Sequence, residues 1–183
     1  MLNRWLLICL FSLGVITPAS AGDRLLATGG VSQVEGAGGG GLVPWALIAG
    51  YGTRDQIGVT AFHTHLELDD FRLRSTGVAV GIHDRVELSL SRQLFNLGTT
   101  VPGQSIRQDV AGAKVRLSGD AIADQDTLLP QLSAGVQVKK NRDMAVPSTL
   151  GAKRDSDVDF YLAASKLYLA GAFGQNLLAN ATL

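Results

Sequence analysis

The sequence predicts an all-β fold: an antiparallel meander of about nine strands forming a β-barrel of the outer-membrane type. Three observations carry this expectation. Apolar and polar residues alternate with period two through most of the chain. No apolar run after residue 22 approaches the roughly 18–20 residues of a membrane helix. The chain also opens on a three-part export signal.

The signal comes first. Arg4 supplies a short positive region, Trp5 to Ile16 an apolar stretch, and Thr17-Pro18 a break. Ala19-Ser20-Ala21 then offers the small-x-small pattern of a cleavage site, so residues 1–21 read as a signal peptide and 22–183 as the mature domain. The apolar stretch, about 12 residues, is too short to span a bilayer. Cys9 lies inside that stretch and has no small-residue cleavage site before it, against a lipoprotein signal.

Strands follow in order. The segments 29–35 and 44–52 carry the weakest alternation. Segments 57–68 and 72–82 are clearer, with Gly52 to Asp55, Asp69-Asp70 and His83-Asp84 as the turns around them. Val86 to Ser91 alternates cleanly. Ala111, Ala113, Val115 and Leu117 alternate with Gly112, Lys114, Arg116 and Ser118. Leu132, Ala134, Val136 and Val138 oppose Ser133, Gly135, Gln137 and Lys139. Segment 157–170 and the run Leu177, Ala179, Ala181, Leu183 complete the set. Successive strand side chains point to opposite faces, so each segment has one apolar and one polar face. Residues 139–157, charged and holding Pro147 and Gly151, form the longest expected loop.

Alternation alone does not decide which face points inward. A membrane barrel turns the apolar face out, a soluble sandwich turns it in. Charged residues are only 17% of the chain, against about 25% in soluble domains. That, the export signal, and charges such as Lys114 and Arg116 on the polar face favour the barrel. Glu87, Lys114, Arg116, Gln137 and Lys139 are then the expected lumen-lining residues. The aromatic content, 6%, is low for a membrane barrel, although many of these residues fall near expected strand ends. The chain stops at Leu183 inside an alternating run without a closing aromatic, so the expectation is the N-terminal part of a longer barrel.

Composition also limits the chemistry. Lysines and arginines balance aspartates and glutamates at 16 each, which excludes the basic stripe of a nucleic-acid partner. Cys9 is the only cysteine, so the mature chain has neither disulfide nor cysteine-ligated metal. Gly36 to Gly41 formally matches a dinucleotide fingerprint, yet Leu42-Val43-Pro44-Trp45 follows where a helix N-terminus is required. A glycine-lined turn is the better reading, and no cofactor is expected. His63, His65 and Glu67, with Asp69 as an extension, share one strand face at roughly 6–7 Å spacing. His-x-His on a strand is a metal-ligand arrangement. A polar face backed by Phe62, Thr64, Leu66 and Leu68 explains the same residues without a metal. No Gly-x-Ser-x-Gly elbow occurs, and an enzyme is not expected.

Several runs are specific enough to carry a resemblance. They are Gly29 to Gly36, the glycine tract, Leu42 to Thr53, Gly98 to Asp109 and Val158 to Ala164. On these, nearly the whole mature chain resembles an uncharacterised family of exported Gram-negative proteins with outer-membrane β-barrel character. The resemblance implies the barrel fold and a longer chain than this one. It brings no catalytic or binding residues.

Function at this level is therefore an outer-membrane barrel, a passive channel for small solutes or a structural membrane protein, with outer-membrane lipid as its partner. The competing expectation is a soluble periplasmic β-sandwich or lipocalin-like binder of an apolar ligand. A barrel-borne lipid hydrolase, or a metal enzyme using His63 and His65, ranks third.

Overall fold

Alternating β-prone sequence joined by short polar turns favours neighbouring strands pairing in sequence order. The structure, a computed structural model, has this arrangement and describes residues 31–183 apart from Phe173. The signal peptide expected at 1–21 lies outside the described residues.

Two short strands, β1 (Gly39–Gly40) and β2 (Val43–Pro44), form a small hairpin. The main sheet contains β3 (Ile57–Glu67), β4 (Arg72–Ile82), β5 (Val86–Asn96), β6 (Ser105–Ser118), β7 (Gln131–Asn141), β8 (Ser156–Ala172) and β9 (Gln175–Thr182). Its order is β3 to β9 without a crossover, every pair antiparallel. A five-residue helix, α1 (Ala145–Thr149), sits in the β7–β8 loop. The β4–β5 hairpin turns on His83 and Asp84 at φ 53° and 49°, with the Arg85 amide donating to the Ile82 carbonyl at 3.0 Å. Two successive left-handed residues give a turn that matches the twist of the strands.

The expected all-β antiparallel meander is present, curled like a barrel wall but not closed. The sheet curls into a half-barrel, with β3 and β9 as its edges and no pairing between them among the described residues. Segments 29–35 and 44–52, expected as strands, do not join the sheet. Within the described residues the first contributes only a bridge, Ser32 to Gly38, and the second only the end of β2. Residues 31–50 instead lie against the concave side, where Ala46, Leu47, Ile48 and Ala49 are buried. Their backbone groups bond to side chains of the sheet rather than to a neighbouring strand. This strap reaches both edges. The Thr182 hydroxyl on β9 donates to the Pro44 carbonyl at 2.7 Å. At the other edge, a Cβ on Gly58 of β3 would lie 2.6 Å from the Gly52 nitrogen, an approach only glycine permits.

The register sorts the convex side into rows. Three of them, Ala61-Val78-Leu90-Ala111-Val138-Val158, Val59-Val80-Leu88-Ala113-Val136-Phe160 and Ile57-Ile82-Val86-Val115-Ala134-Leu162, contain no polar residue. A fourth, Leu132-Ala164-Ala181, continues them on the last three strands. Phe160 in this band is 80% exposed and Leu90 60%. Aromatic residues form no girdle around the band among the described residues. Phe62 and Tyr161 instead lie on the concave side, over their cross-strand partners Gly77 and Gly135.

The concave side of the same strands is polar or small: Gly58-Gly81-Glu87-Lys114-Gly135-Tyr161, then Thr60-Ala79-Ser89-Gly112-Gln137-Asp159. Toward the end formed by the β3–β4, β5–β6 and β7–β8 loops the polarity reverses. There Leu66, Leu73, Phe95 and Ile106 share the concave side. Phe95 stacks on Phe71 with centroids 5.5 Å apart. The convex side of this collar carries His63, His65, Glu67, Arg72, Arg74, Arg92, Arg107, Asp109 and Lys140. At the opposite end of the band, Lys166 is buried, and its amine donates to the Asp124 carbonyl in the β6–β7 loop.

Candidate functional site

Glu87 on β5 and Lys114 on β6 are directly opposed, so alternation turns both toward the concave side. Their charged atoms are 2.9 Å apart, and each side chain is only 1% exposed. A buried ion pair survives only when its remaining bonding capacity is filled. The strap fills it. The Gly38 and Ala49 amides donate to Glu87 Oε1 and Oε2 at 2.9 and 2.6 Å. Lys114 Nζ donates to the Gly38 and Trp45 carbonyls at 2.9 and 3.1 Å.

The rest of the concave face repeats this pattern with neutral groups. The Ala46 amide donates to Ser165 Oγ at 2.8 Å, and the Ala46 carbonyl accepts from Gln131 Nε2 and Ser133 Oγ at 2.6 and 2.5 Å. The Val34 carbonyl accepts from Ser75 Oγ and Gln93 Nε2 at 2.5 and 3.1 Å. Ser91 Oγ donates to the Glu35 carbonyl at 2.8 Å. Lys139 bridges the Glu35 and Asp159 carboxylates at 2.5 and 2.8 Å. The sheet thus reads the strap by its backbone, with small hydroxyls and amides where a soluble protein would place apolar core.

All five expected lumen residues face this side. Glu87 and Lys114 are sealed by the strap. Gln137 is 3% exposed, and its Nε2 has no partner among the described residues. Arg116 pairs with Asp84, and with Asp120 at 3.1 Å. Of the residues holding the strap, Ser91 and Ser133 were visible as polar members of alternating runs. Their shared target was not, because it lies far away in sequence.

The other candidate set faces the opposite way. His63, His65 and Glu67 stand exposed on the convex side, with Phe62 and Thr64 behind them. His63 Nδ1 meets Thr76 Oγ1 at 2.8 Å, and Glu67 pairs with Arg72 at 2.7 Å. Among the described residues, no three His, Cys, Asp or Glu side chains converge on a metal position. The glycine tract enters a hairpin rather than a helix, so it builds no phosphate cradle.

Two loop carboxylates are strongly perturbed. Asp70 accepts from the amides and hydroxyls of both Thr99 and Thr100, which lowers its pKa to about 2. Asp143 in the β7–β8 loop is held at about 2 by the Arg107 guanidinium and its backbone amide. Both carboxylates tie a loop to the collar. The Thr99 and Thr100 hydroxyls beside Asp70 donate to it, and Arg107 holds Asp143, so both carboxylates read as fasteners.

No curated protein and no solved structure matches the chain. A family model described as protein of unknown function (DUF3034) matches residues 28–183, and its span takes in the strap and every strand of the sheet. The chain therefore belongs to the DUF3034 family.

Proposed function

We propose that the protein is an outer-membrane β-barrel protein whose interior is occupied by its own strap, residues 31–50. One observation carries this reading: the central sheet is apolar on its exposed convex side and polar on its buried concave side. In water that arrangement leaves four apolar rows uncovered, far beyond an ordinary surface patch. In lipid it is the stable one. A lipocalin-like binder would need the apolar rows on the concave side, which weighs against it.

Within this reading the strap makes an open passive channel the less favoured version. The favoured one is a plugged barrel, structural at rest and conducting only when the strap leaves. Its test is membrane fractionation of the full chain, with migration on a detergent gel before and after boiling. A ladder closed by partners at the β3 and β9 edges resists detergent until heated, so heat-modifiable migration from the membrane fraction is expected. Recovery as soluble periplasmic material would sink the reading. In planar bilayers the wild type is expected to be silent, and Lys114→Ala, which loosens the strap, to show conductance.

A further inference from the structure

We propose a lipid site on the convex face where collar and band meet. It is a groove that takes one acyl chain of an anionic, phosphate-headed lipid and holds the phosphate with Arg92 and Lys140. The proposal rests on the membrane reading above and adds a specific occupant to it.

The groove has a volume of about 600 Å³. Leu90, Ala111 and Val138 form its floor and are direct neighbours on β5, β6 and β7. Ala111 is the small residue between two larger ones, which makes a trough. The rim is the next row of the register, Arg92-Asp109-Lys140. Arg92 gives Nε and Nη2 to Asp109, leaving Nη1 beyond that pair. Arg142 shares Asp109 at 2.8 Å, and Lys140 reaches Asp155 at 2.6 Å. Three cations thus meet two carboxylates, an excess of one positive charge directly above an apolar floor. One row further on is Arg74, with no ion-pair partner among the described residues.

This juxtaposition selects the occupant. An anion is drawn to the rim but gains nothing from the floor. A peptide segment would bring amides and carbonyls to a place where the sheet's own backbone groups are already paired in the ladder, leaving those of the peptide unsatisfied. An acyl chain needs no hydrogen bonds, and a phosphate is matched by guanidinium and ammonium donors. A lipid carrying both satisfies floor and rim together.

The test uses the full chain in neutral detergent micelles and native mass spectrometry. The added probes are dioleoylphosphatidylglycerol, dioleoylphosphatidylcholine and inorganic phosphate. The wild type is expected to retain the anionic lipid over the zwitterionic one. Removing both rim charges (Arg92→Gln with Lys140→Gln) is expected to weaken retention about 30-fold. Ala111→Leu fills the trough without touching a charge and is expected to weaken it as well. Equal retention of the two lipids by the wild type overturns the proposal, and so does unchanged retention in the two variants. Displacement of the lipid by millimolar inorganic phosphate would overturn the acyl component. Fractionation and heat-modifiable migration of the wild type do not depend on these residues, so failure of the membrane reading is seen separately.

Discussion

The collar and the band share the strands β3 to β7, yet they place apolar residues on opposite sides. In the collar, Leu66, Leu73, Phe95 and Ile106 turn inward and Arg72, Arg74 and Arg107 outward, as in a soluble protein. Two rows further along, Val78, Leu90 and Ala111 turn outward, while Ser75, Ser91 and Glu87 turn to the strap. A period-two pattern fixes which residues share a face but not which face meets water. On the membrane reading proposed above, the reversal records a change of surroundings along the strand axis. It also explains why the strap is needed. A polar concave face must find partners, and the strap's backbone supplies them.

The largest expected effect tests the concave side of the band. Lys114→Ala leaves Glu87 buried and unpaired, which should cost about 3–5 kcal/mol. Denaturant unfolding of the protein in lipid vesicles measures it. Pairing Lys114→Met with Glu87→Gln should recover most of the loss. If the single and double variants are equally stable, the pair is not the clasp of the strap.

Next comes the convex side. Leu88→Arg, at mid-band, should destabilise the membrane-inserted protein by about 2–4 kcal/mol. Thr76→Arg, in the lowest collar row of the neighbouring strand, should stay within about 0.5 kcal/mol of the wild type. The difference between two added arginines is a direct measure of the boundary. Equal effects would erase the distinction between collar and band.

Two smaller effects sharpen the collar. Gly98 has φ 55°, and a Cβ there would lie 1.5 Å from the Asp70 carbonyl oxygen. Gly98→Ala should therefore displace the β5–β6 loop at a cost of about 1–3 kcal/mol, seen as faster amide exchange at Thr99 and Thr100. The smallest effect is the pH response of the same fastening. The folded pKa of Asp70 is depressed to about 2 from 3.8 by the Thr99 and Thr100 bonds. Its contribution is complete above pH 4 or so and is lost as pH falls through about 2. Exchange protection of the Thr99 and Thr100 amides should drop across that window. In Asp70→Asn it should be low and flat.

Much of the sheet could be read from the residues. Segment 72–82 is a strand with the expected bounds, and the alternating runs around Val86, Ala113, Val136 and Ala179 became β5, β6, β7 and β9. Local alternation suffices there, because each strand pairs with its neighbour in sequence. The first two expected strands failed for the opposite reason. Trp45, Ala46 and Ala49 read as strand residues, but their backbone partners are Glu87, Lys114, Ser133 and Ser165, reached across long loops. The candidate site was half legible. Glu87 and Lys114 could be placed on one face, whereas their pairing and their burial could not.

By itself, the sequence determined the strands, their antiparallel order and the two faces of each, because these follow from period two and short turns. It also determined that His63, His65 and Glu67 share a face. Only the tertiary structure decided that this face is convex, that the sheet is left open between β3 and β9, and that residues 31–50 fill its hollow. Those outcomes depend on how polar groups distant in the chain satisfy one another, and no local pattern encodes that.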